Sequence, residues 1–373
     1  MGIDAMPRGY RLRRMTLGES YAKERPNGLN ALRLLLAIGV IFWHSFPLTG
    51  TQFAGGEPAR QLLENLCVDG FFAISGYLIT KSWLRSPRVR MFIVARTLRI
   101  LPAFWVCLIA TALIFAPLGT WFAGGDPLRT ITSPESITYV VKNAGLWMVQ
   151  FGIAGTPLNV PFEGAWNGSL WTLAYEFMCY LAILALGVAG LLRRSWALWG
   201  AYALVWIATF VHLIEIAGIE LLGTSFRFAL TFIAGALLSK YENKIRLSWG
   251  GVAIAFALVV AAAWLPNYLL LAAPAIAYGF VGLGGLVSHQ RLAFRNDFSY
   301  GMYIYAFPMQ QILASAGLSF FGVVGFGLVA SLFTIPLAMA SWFLIERPAS
   351  RLNGRLQARL RLSSTRKSAP VLV

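Results

Sequence analysis

The amino-acid sequence predicts an all-α integral membrane protein with about ten transmembrane helices and both termini in the cytoplasm. Of its 373 residues, 58% are hydrophobic and only 12% are charged, about half the charged fraction of a typical soluble domain. Apolar segments follow one another without a polar linker, and the basic residues fall in alternate gaps between them. These observations exclude a soluble globule and indicate one multispanning unit.

The sequence contains ten segments that are predicted to span the membrane, because a helix needs about 20 mainly apolar residues to cross a bilayer. An even number of spans places both termini on the same side. The segments are residues 30–49, 66–84, 99–117, 169–190, 196–213, 224–240, 248–265, 267–287, 299–317 and 323–345.

The net charge of +16 predicts orientation rather than nucleic-acid binding, because 26 of the 31 lysines and arginines lie in the terminal regions and in alternate gaps. Such basic loops stay in the cytoplasm and attract anionic lipid. We therefore expect a protein of the plasma (inner) membrane. It would have a basic cytoplasmic arm at 1–29, a membrane domain at 30–348 and a basic cytoplasmic tail at 349–373.

The longest segment predicted to lie outside the cell runs from Gly119 to Gly168. Its apolar stretch, residues 137–153, is interrupted by Lys142 and Asn143, so we expect a re-entrant or interfacial helix there rather than a span. The three cysteines occur singly, without the spacing of a metal site, and are expected to be small buried side chains. No metal is predicted.

The first span contains an arginine and a histidine on one face. Arg33 and His44 are eleven residues apart, about three helical turns, so they lie roughly 16 Å apart along the axis and nearly in line. Charged and imidazole groups inside spans are costly and mark functional sites. A long ligand could place a phosphate on Arg33 and a reactive end at His44. A snorkelling arginine and a structural histidine are the alternatives.

Two further charged groups fall inside spans. Glu176 lies about two turns into the fourth span and Arg227 near the outer end of the sixth, so both are expected at the depth of His44. The three side chains would form a proton-handling cluster. The alternative is a buried Glu176–Arg227 ion pair that only fixes helix packing.

The second span and the basic segment after it supply the other candidates. Asp69, Ser75 and Tyr77 are polar side chains of the second span, beside glycines that permit close helix approach, and Trp171 precedes Glu176. After this span, Arg96 and Arg99 share a helix face at i, i+3 and suit a polyphosphate. Anchoring of the loop in the cytoplasm is the alternative for both arginines.

Together these residues resemble the membrane-bound acyltransferase 3 family. The resemblance rests on motifs that run in order through nearly the whole chain. They are Arg33-x10-His44, Val68-Asp-Gly-Phe-Phe-Ala-Ile-Ser-Gly-Tyr-Leu-Ile79, Arg96-x2-Arg99-Ile-Leu-Pro102, Ser169-Leu-Trp-Thr-Leu-Ala-Tyr-Glu176, Phe298-Ser-Tyr-Gly-Met-Tyr303 and Ile345-Glu-Arg-Pro348.

The resemblance implies an enzyme with ten helices that moves an acyl group, often acetyl, from cytoplasmic acyl-CoA to a hydroxyl of a cell-surface or lipid-linked glycan. It implies essential roles for Arg33 and His44, and Glu176 matches the glutamate of the family's fourth span. We expect His44 to be the general base, assisted by Glu176 and, from its position in the sixth span, by Arg227. Arg33, Arg96 and Arg99 would bind the CoA phosphates.

The chain departs from the family at two positions. Asn30 stands where the family often has Asp, and Ala306 stands where it often has a histidine before Phe-Pro. His44 is therefore the residue expected to act as the general base. The competing hypothesis is a multispanning glycolipid or small-solute transporter without acyl transfer.

Overall fold

The computed structural model describes residues 15–22, 25–215, 220–294 and 296–367. This part of the chain is helical, with two isolated β-bridges. The helices are α1 (Leu17–Ser20), α2 (Leu29–Leu48), α3 (Glu57–Arg85), α4 (Val89–Ala110), α5 (Ala116–Phe122), α6 (Pro127–Thr132), α7 (Pro134–Asn143), α8 (Thr172–Val188), α9 (Ser195–Glu215), α10 (Glu220–Tyr241), α11 (Trp249–Ala262), α12 (Leu269–Leu286), α13 (Ser299–Ser315), α14 (Gly322–Ser341) and α15 (Arg347–Lys367).

Each of the ten predicted spans falls on a helix, from α2 to α14. By length and composition, five helical segments of the described residues could cross a membrane, and shorter apolar helices occupy other predicted spans. The protein is therefore an all-helical membrane protein. The number ten and the cytoplasmic termini remain predictions. The five segments are Leu29–Leu48, Glu57–Arg85, Val89–Phe122, Leu269–Leu286 and Leu318–Ala358.

The bundle has two ends, which we name by their sequences. The basic end is where α3 ends and α4 begins, with Arg85, Arg88 and Arg90. The loop end carries residues 123–171, between α5 and α8. Residues 1–14 of the predicted arm and 368–373 of the tail lie outside the described part of the chain.

Helices α3 and α10 approach most closely, because both carry glycine at the contact. A Cβ atom on Gly76 would lie 1.9 Å from the carbonyl oxygen of Phe232, and one on Gly235 would lie 1.9 Å from that of Ala73. The predicted role of the second-span glycines is confirmed at Gly76. This contact holds α3 against α10, and on the same side of α3 Asp69 pairs with Arg227 of α10.

The apolar stretch 137–153 is only partly helical. Helix α7 ends at Asn143, whose buried side chain accepts from the backbone N–H of Val149 and Gln150 and donates to the carbonyl of Gln150. These bonds turn the chain, so the rest of the stretch is irregular. A ten-residue helix extends about 15 Å, too short to cross the bilayer. The α7 segment is therefore not a span.

Candidate active site

A cavity of about 240 Å³ opens at the basic end between α2, α3, α4, α8 and the α14–α15 helix. It brings together the three arginines predicted to bind the donor, Arg33 from α2 with Arg96 and Arg99 from α4. Its remaining lining residues are Ser75, Leu78, Ile79, Ala95, Leu98, Tyr180, Trp342, Glu346, Ser350 and Asn353.

Asp297, in the segment between α12 and α13, joins two of these arginines. Its Oδ2 accepts from Arg33 and, at 2.6 Å, from Arg99, while its Oδ1 accepts from the hydroxyl of Ser299 at 2.5 Å. Burial raises the pKa of this carboxyl, but the two guanidinium groups lower it more, and the net result is a pKa of about 2. Asp297 is therefore ionised at neutral pH and fixes both arginines.

Arg99 and Arg96 differ in their partners. Arg99 also donates to buried Glu346 at 2.9 Å, so it lies between two carboxylates. Arg96 lies over the rings of Phe92 and Tyr180, and its buried Nε has no hydrogen-bond partner. Of the three arginines in the cavity, Arg96 is the one without an ion pair among the described residues.

A second, smaller cavity of about 40 Å³ adjoins the first at Arg33. Glu176 lines it and accepts hydrogen bonds from Ser75 at 2.7 Å and Tyr180 at 2.5 Å. Ser75 and Tyr180 belong to the first cavity, so the two cavities form one polar path. Tyr303 and Thr172, whose hydroxyls are 2.6 Å apart, lie at the inner end of this path.

His44 lines neither cavity. Its ring meets Phe307 edge to face, with centroids 5.1 Å apart, and the side chain is half-buried. The imidazole has no hydrogen-bond partner among the described residues, so the structure does not support the alternative of a histidine bonded to a neighbouring helix. Between Arg33 and His44, the same face of α2 carries the buried side chains Ala37 and Val40.

The predicted cluster of His44, Glu176 and Arg227 is wrong in its geometry. Arg227 donates from Nε to Asp69 at 2.9 Å, and Asp69 also accepts from Tyr268. The alternative, a Glu176–Arg227 pair, is not found either, because Arg227 forms a buried pair with Asp69 between α3 and α10. Which acid faces Arg227 depends on the rotation of α3, and hydropathy does not show that rotation.

Glu176 also lies much closer to the basic end of the bundle than His44 does. Helices α2 and α3 are antiparallel, with Gly39 against Cys67. Ser75, which bonds Glu176, is eight residues from Cys67 toward the basic end, about 12 Å along the axis. His44 is five residues from Gly39 toward the loop end, about 8 Å along the axis. The two groups thus stand roughly 20 Å apart in depth, so Glu176 cannot orient the imidazole.

The other two predicted pocket residues lie outside both cavities. Tyr77 donates to Glu242 at 2.6 Å beside Lys81, in a polar cluster at the basic end. Trp171 packs against Tyr175 and Phe228 at the start of α8. Ser75, in contrast, lines the first cavity as expected.

Sequence reasoning missed Asp297 because it lies just outside a predicted span, where charges are unremarkable. The available signal was Asp297-Phe298-Ser299, an acid followed two residues later by serine at a helix start. In the sequence, Glu346 is marked only by the Ile345-Glu-Arg-Pro348 motif. Its contact with Arg99 makes it part of the cavity wall.

The structure thus defines a helical membrane protein with a charged cavity at one end of the bundle and an imidazole toward the other. The model of the acyltransferase 3 family, an acyltransferase domain, matches residues 27–343. The chain belongs to this family and is an O-acyltransferase, which confirms the resemblance and favours an enzyme over a transporter.

The chain is similar to two relatives of about its own length and to part of a longer one. The chain is 28% identical over 340 residues to the O-acetyl transferase of Shigella phage Sf6, covering 87% of this chain and 96% of the relative. It is 31% identical over 371 residues to nodulation protein 10 of Rhizobium leguminosarum bv. viciae, covering 89% and 95%. It is 31% identical over 187 residues to O-acetyltransferase OatA of Staphylococcus aureus, covering 48% and 27%. No solved structure matches the chain.

Proposed function

We propose that this O-acyltransferase moves an acetyl or similar acyl group from cytoplasmic acyl-CoA to a hydroxyl of a cell-surface or lipid-linked glycan. The donor would enter the plasma membrane protein at the basic end, and His44 would act as the general base. The observation that carries the proposal is the polar path that begins among Arg33, Arg96 and Arg99. It ends at Tyr303, one helical turn of α13 before Phe307, which contacts His44.

The donor end of the proposal rests on Arg96. Glu346 and Glu176 line the two cavities, and Asp297 beside them pairs with Arg33 and Arg99. These three carboxylates balance the three arginines, so the path suits the uncharged arm of CoA better than its phosphates. Arg33 and Arg99 are held by Asp297. Arg96 is available to a phosphate at the opening of the cavity, where the exposed Ser350 lies.

The path to His44 follows one face of α13. Tyr300 and Tyr303 line the second cavity, and Phe307, one turn further along, contacts His44. These positions recur at helical spacing. A thioester that advances along this face would pass Tyr303 and reach the imidazole, and an acceptor hydroxyl would arrive from the loop end.

The chemistry is a direct acyl transfer. The acceptor oxygen attacks the thioester carbonyl carbon while the neutral His44 imidazole takes the hydroxyl proton. The C–S bond then breaks, an ester forms, and the thiolate leaves and recovers a proton as CoA thiol. General base assistance of this kind accelerates a reaction by about 10²–10⁴-fold.

The test uses a strain that lacks this protein and is complemented with wild type, His44→Ala, His44→Gln or His289→Ala. Mass spectrometry measures acyl groups on surface and lipid-linked glycans. We expect both His44 variants to lower the initial rate of acylation at least about 100-fold. The control His289, at the basic end, should be replaceable. Unchanged acylation in His44→Ala would overturn the role of His44, and no acylation by wild type would overturn the proposed function.

A further inference from the structure

An apolar groove of about 670 Å³ runs along the lateral surface of the bundle between α4–α5, α13 and α14. Its lining is hydrocarbon apart from a few side chains such as Tyr305 and Ser341. On the α4–α5 side it extends from Val106 to Phe122, a rise of roughly 24 Å along the helix. That length accommodates an extended hydrocarbon chain.

A separate polar cavity of about 340 Å³ lies at the loop end. It offers hydroxyl, carboxylate and guanidinium groups, including Thr120, Asp126 and Arg129. Arg129 is exposed and has no ion pair among the described residues. Trp166 is fully buried there, with Nε1 donating to Thr156 at 2.9 Å. Trp166 is therefore not free to stack on a sugar, and recognition in this cavity would use hydrogen bonds.

The groove and the polar cavity adjoin each other on two helices. On α5, Leu118 and Phe122 line the groove, and the neighbouring Gly119 and Ala123 line the cavity. At the end of α13, Ser315 lines the cavity and the next residue, Ala316, lines the groove. A hydrocarbon surface thus continues directly into a hydrogen-bonding pocket.

We propose that the groove and the cavity together form a binding site for a glycolipid, with its hydrocarbon chain in the groove and its saccharide head in the polar cavity. A free saccharide would not use the groove, and an ordinary lipid would not need the polar cavity. The glycolipid would be the acyl acceptor, and this assignment rests on the proposed function.

The helices on both sides of the groove carry irregular turns. A π-helical turn at Thr111–Phe115 joins α4 to α5, and another at Trp342–Glu346 joins α14 to α15. Each contributes side chains to the groove, among them Phe115 and Ile345. Single π-helical turns in α-helices often mark functional sites, and here two of them border one groove.

The cavity is also tied to the candidate catalytic histidine. The segment that supplies Thr156, Asn159 and Trp166 to the cavity wall also contains Phe162, whose ring packs 5.8 Å from that of Phe307. Phe307 contacts His44. The saccharide head would therefore lie across one loop from the imidazole.

The probe is dodecyl maltoside with a photoreactive diazirine at the end of its alkyl chain. It is added to the full-length protein in phosphatidylcholine nanodiscs, and cross-linked peptides are quantified by mass spectrometry. We expect labelling of the α4–α5 and α14 peptides that line the groove.

Ala340→Trp should reduce this labelling at least about tenfold, because each methylene displaced from the groove lowers the affinity by a factor of about four. Ala340 is exposed in the groove, and the exposed Ala257 on α11 provides the control Ala257→Trp.

The head group is tested with Arg129→Ala and Asp126→Asn. Asn retains the N-cap bond that Asp126 makes to Leu128, and Lys142→Ala is the control for Arg129 because Lys142 is an exposed basic residue outside the cavity. Each head-group variant should reduce groove labelling about threefold or more.

Three results would overturn the glycolipid site. Labelling lowered only by Ala340→Trp would indicate an ordinary lipid chain. Labelling lowered only by the head-group variants would indicate a soluble saccharide. Labelling spread evenly over the lipid-facing helices would show that the probe has no specific site in the groove. Acyl transfer is measured separately with the same variants. Failure of wild type to acylate any glycan, with groove labelling intact, would count against the proposed function and not against binding.

Discussion

Asp297 accepts a hydrogen bond from Arg99 across 2.6 Å, and this contact ties the segment before α13 to α4. The same oxygen accepts from Arg33 on α2. Three separate parts of the chain therefore meet at one carboxylate. The wall of the first cavity therefore depends on a residue that lies outside the predicted spans.

The first prediction concerns the pH dependence of this contact. The pKa of Asp297 is lowered to about 2, below the value near 3.9 of an unfolded aspartate. Its stabilising contribution is therefore complete above about pH 4 and is lost as the pH falls toward 2, a loss of about 2 kcal/mol. Asp297→Asn should unfold at a lower temperature at pH 7 and show a smaller decline between pH 4 and 2. Thermal unfolding of purified protein measures both, and equal declines in the two proteins would contradict the assignment.

The second prediction separates the observed Asp69–Arg227 ion pair from the alternative Glu176–Arg227 pair. Removing one partner of a buried pair costs about 3–5 kcal/mol, so Asp69→Asn and Arg227→Met should each destabilise the protein strongly. In a double-mutant cycle, this pair should show a coupling above about 1 kcal/mol. The cycle of Glu176→Gln with Arg227→Met should give a coupling below about 0.5 kcal/mol. A large coupling in the second cycle would show that Glu176 and Arg227 meet after all.

The positions of the helices could be predicted from the sequence, because hydropathy is a local property. All ten apolar segments fall on helices, and the shared face of Arg33 and His44 follows from helical periodicity alone. The two π-helical turns were not predicted, since they have no simple hydropathy signature.

The partners of the charged residues were harder to predict. A search for charges inside spans found Arg227 and Glu176, but pairing depends on helix rotation and depth, which placed Asp69 against Arg227. The same search passed over Asp297 because it precedes α13. A site assembled from five helices and a connecting segment is defined by packing, and a single sequence carries little information on that packing.

The third prediction concerns the close contact of α3 and α10. Gly76→Ala places a methyl group 1.9 Å from a backbone oxygen of the neighbouring helix, so the helices must separate, at an expected cost of about 3 kcal/mol. Gly250 on α11 has open space around its Cβ position. Gly250→Ala should be neutral or slightly stabilising. Thermal unfolding and expression in membranes distinguish the two, and similar behaviour of both variants would show that the contact is loose.

The last prediction separates the two arginines of the Arg96-x2-Arg99 motif. Arg96 has no ion pair among the described residues and a buried Nε without a partner, whereas Arg99 lies between Asp297 and Glu346. Arg96→Ala should raise the KM for acyl-CoA about tenfold or more, because it removes a hydrogen bond from a charged group to the phosphate. The unfolding temperature should change little. Arg96→Lys keeps the charge but not the planar fork, so its KM should be intermediate.

Arg99→Ala should act mainly on stability, because it leaves two carboxylates facing each other without their shared cation. We expect a loss of about 3 kcal/mol in the free energy of unfolding. A second substitution, Glu346→Gln, should restore most of this loss, because it removes one of the two carboxylate charges. Thiol release against acyl-CoA concentration gives KM, and thermal unfolding gives stability. A donor KM that is unchanged in Arg96→Ala and raised in Arg99→Ala would reverse the assignment and make Arg99 the phosphate contact.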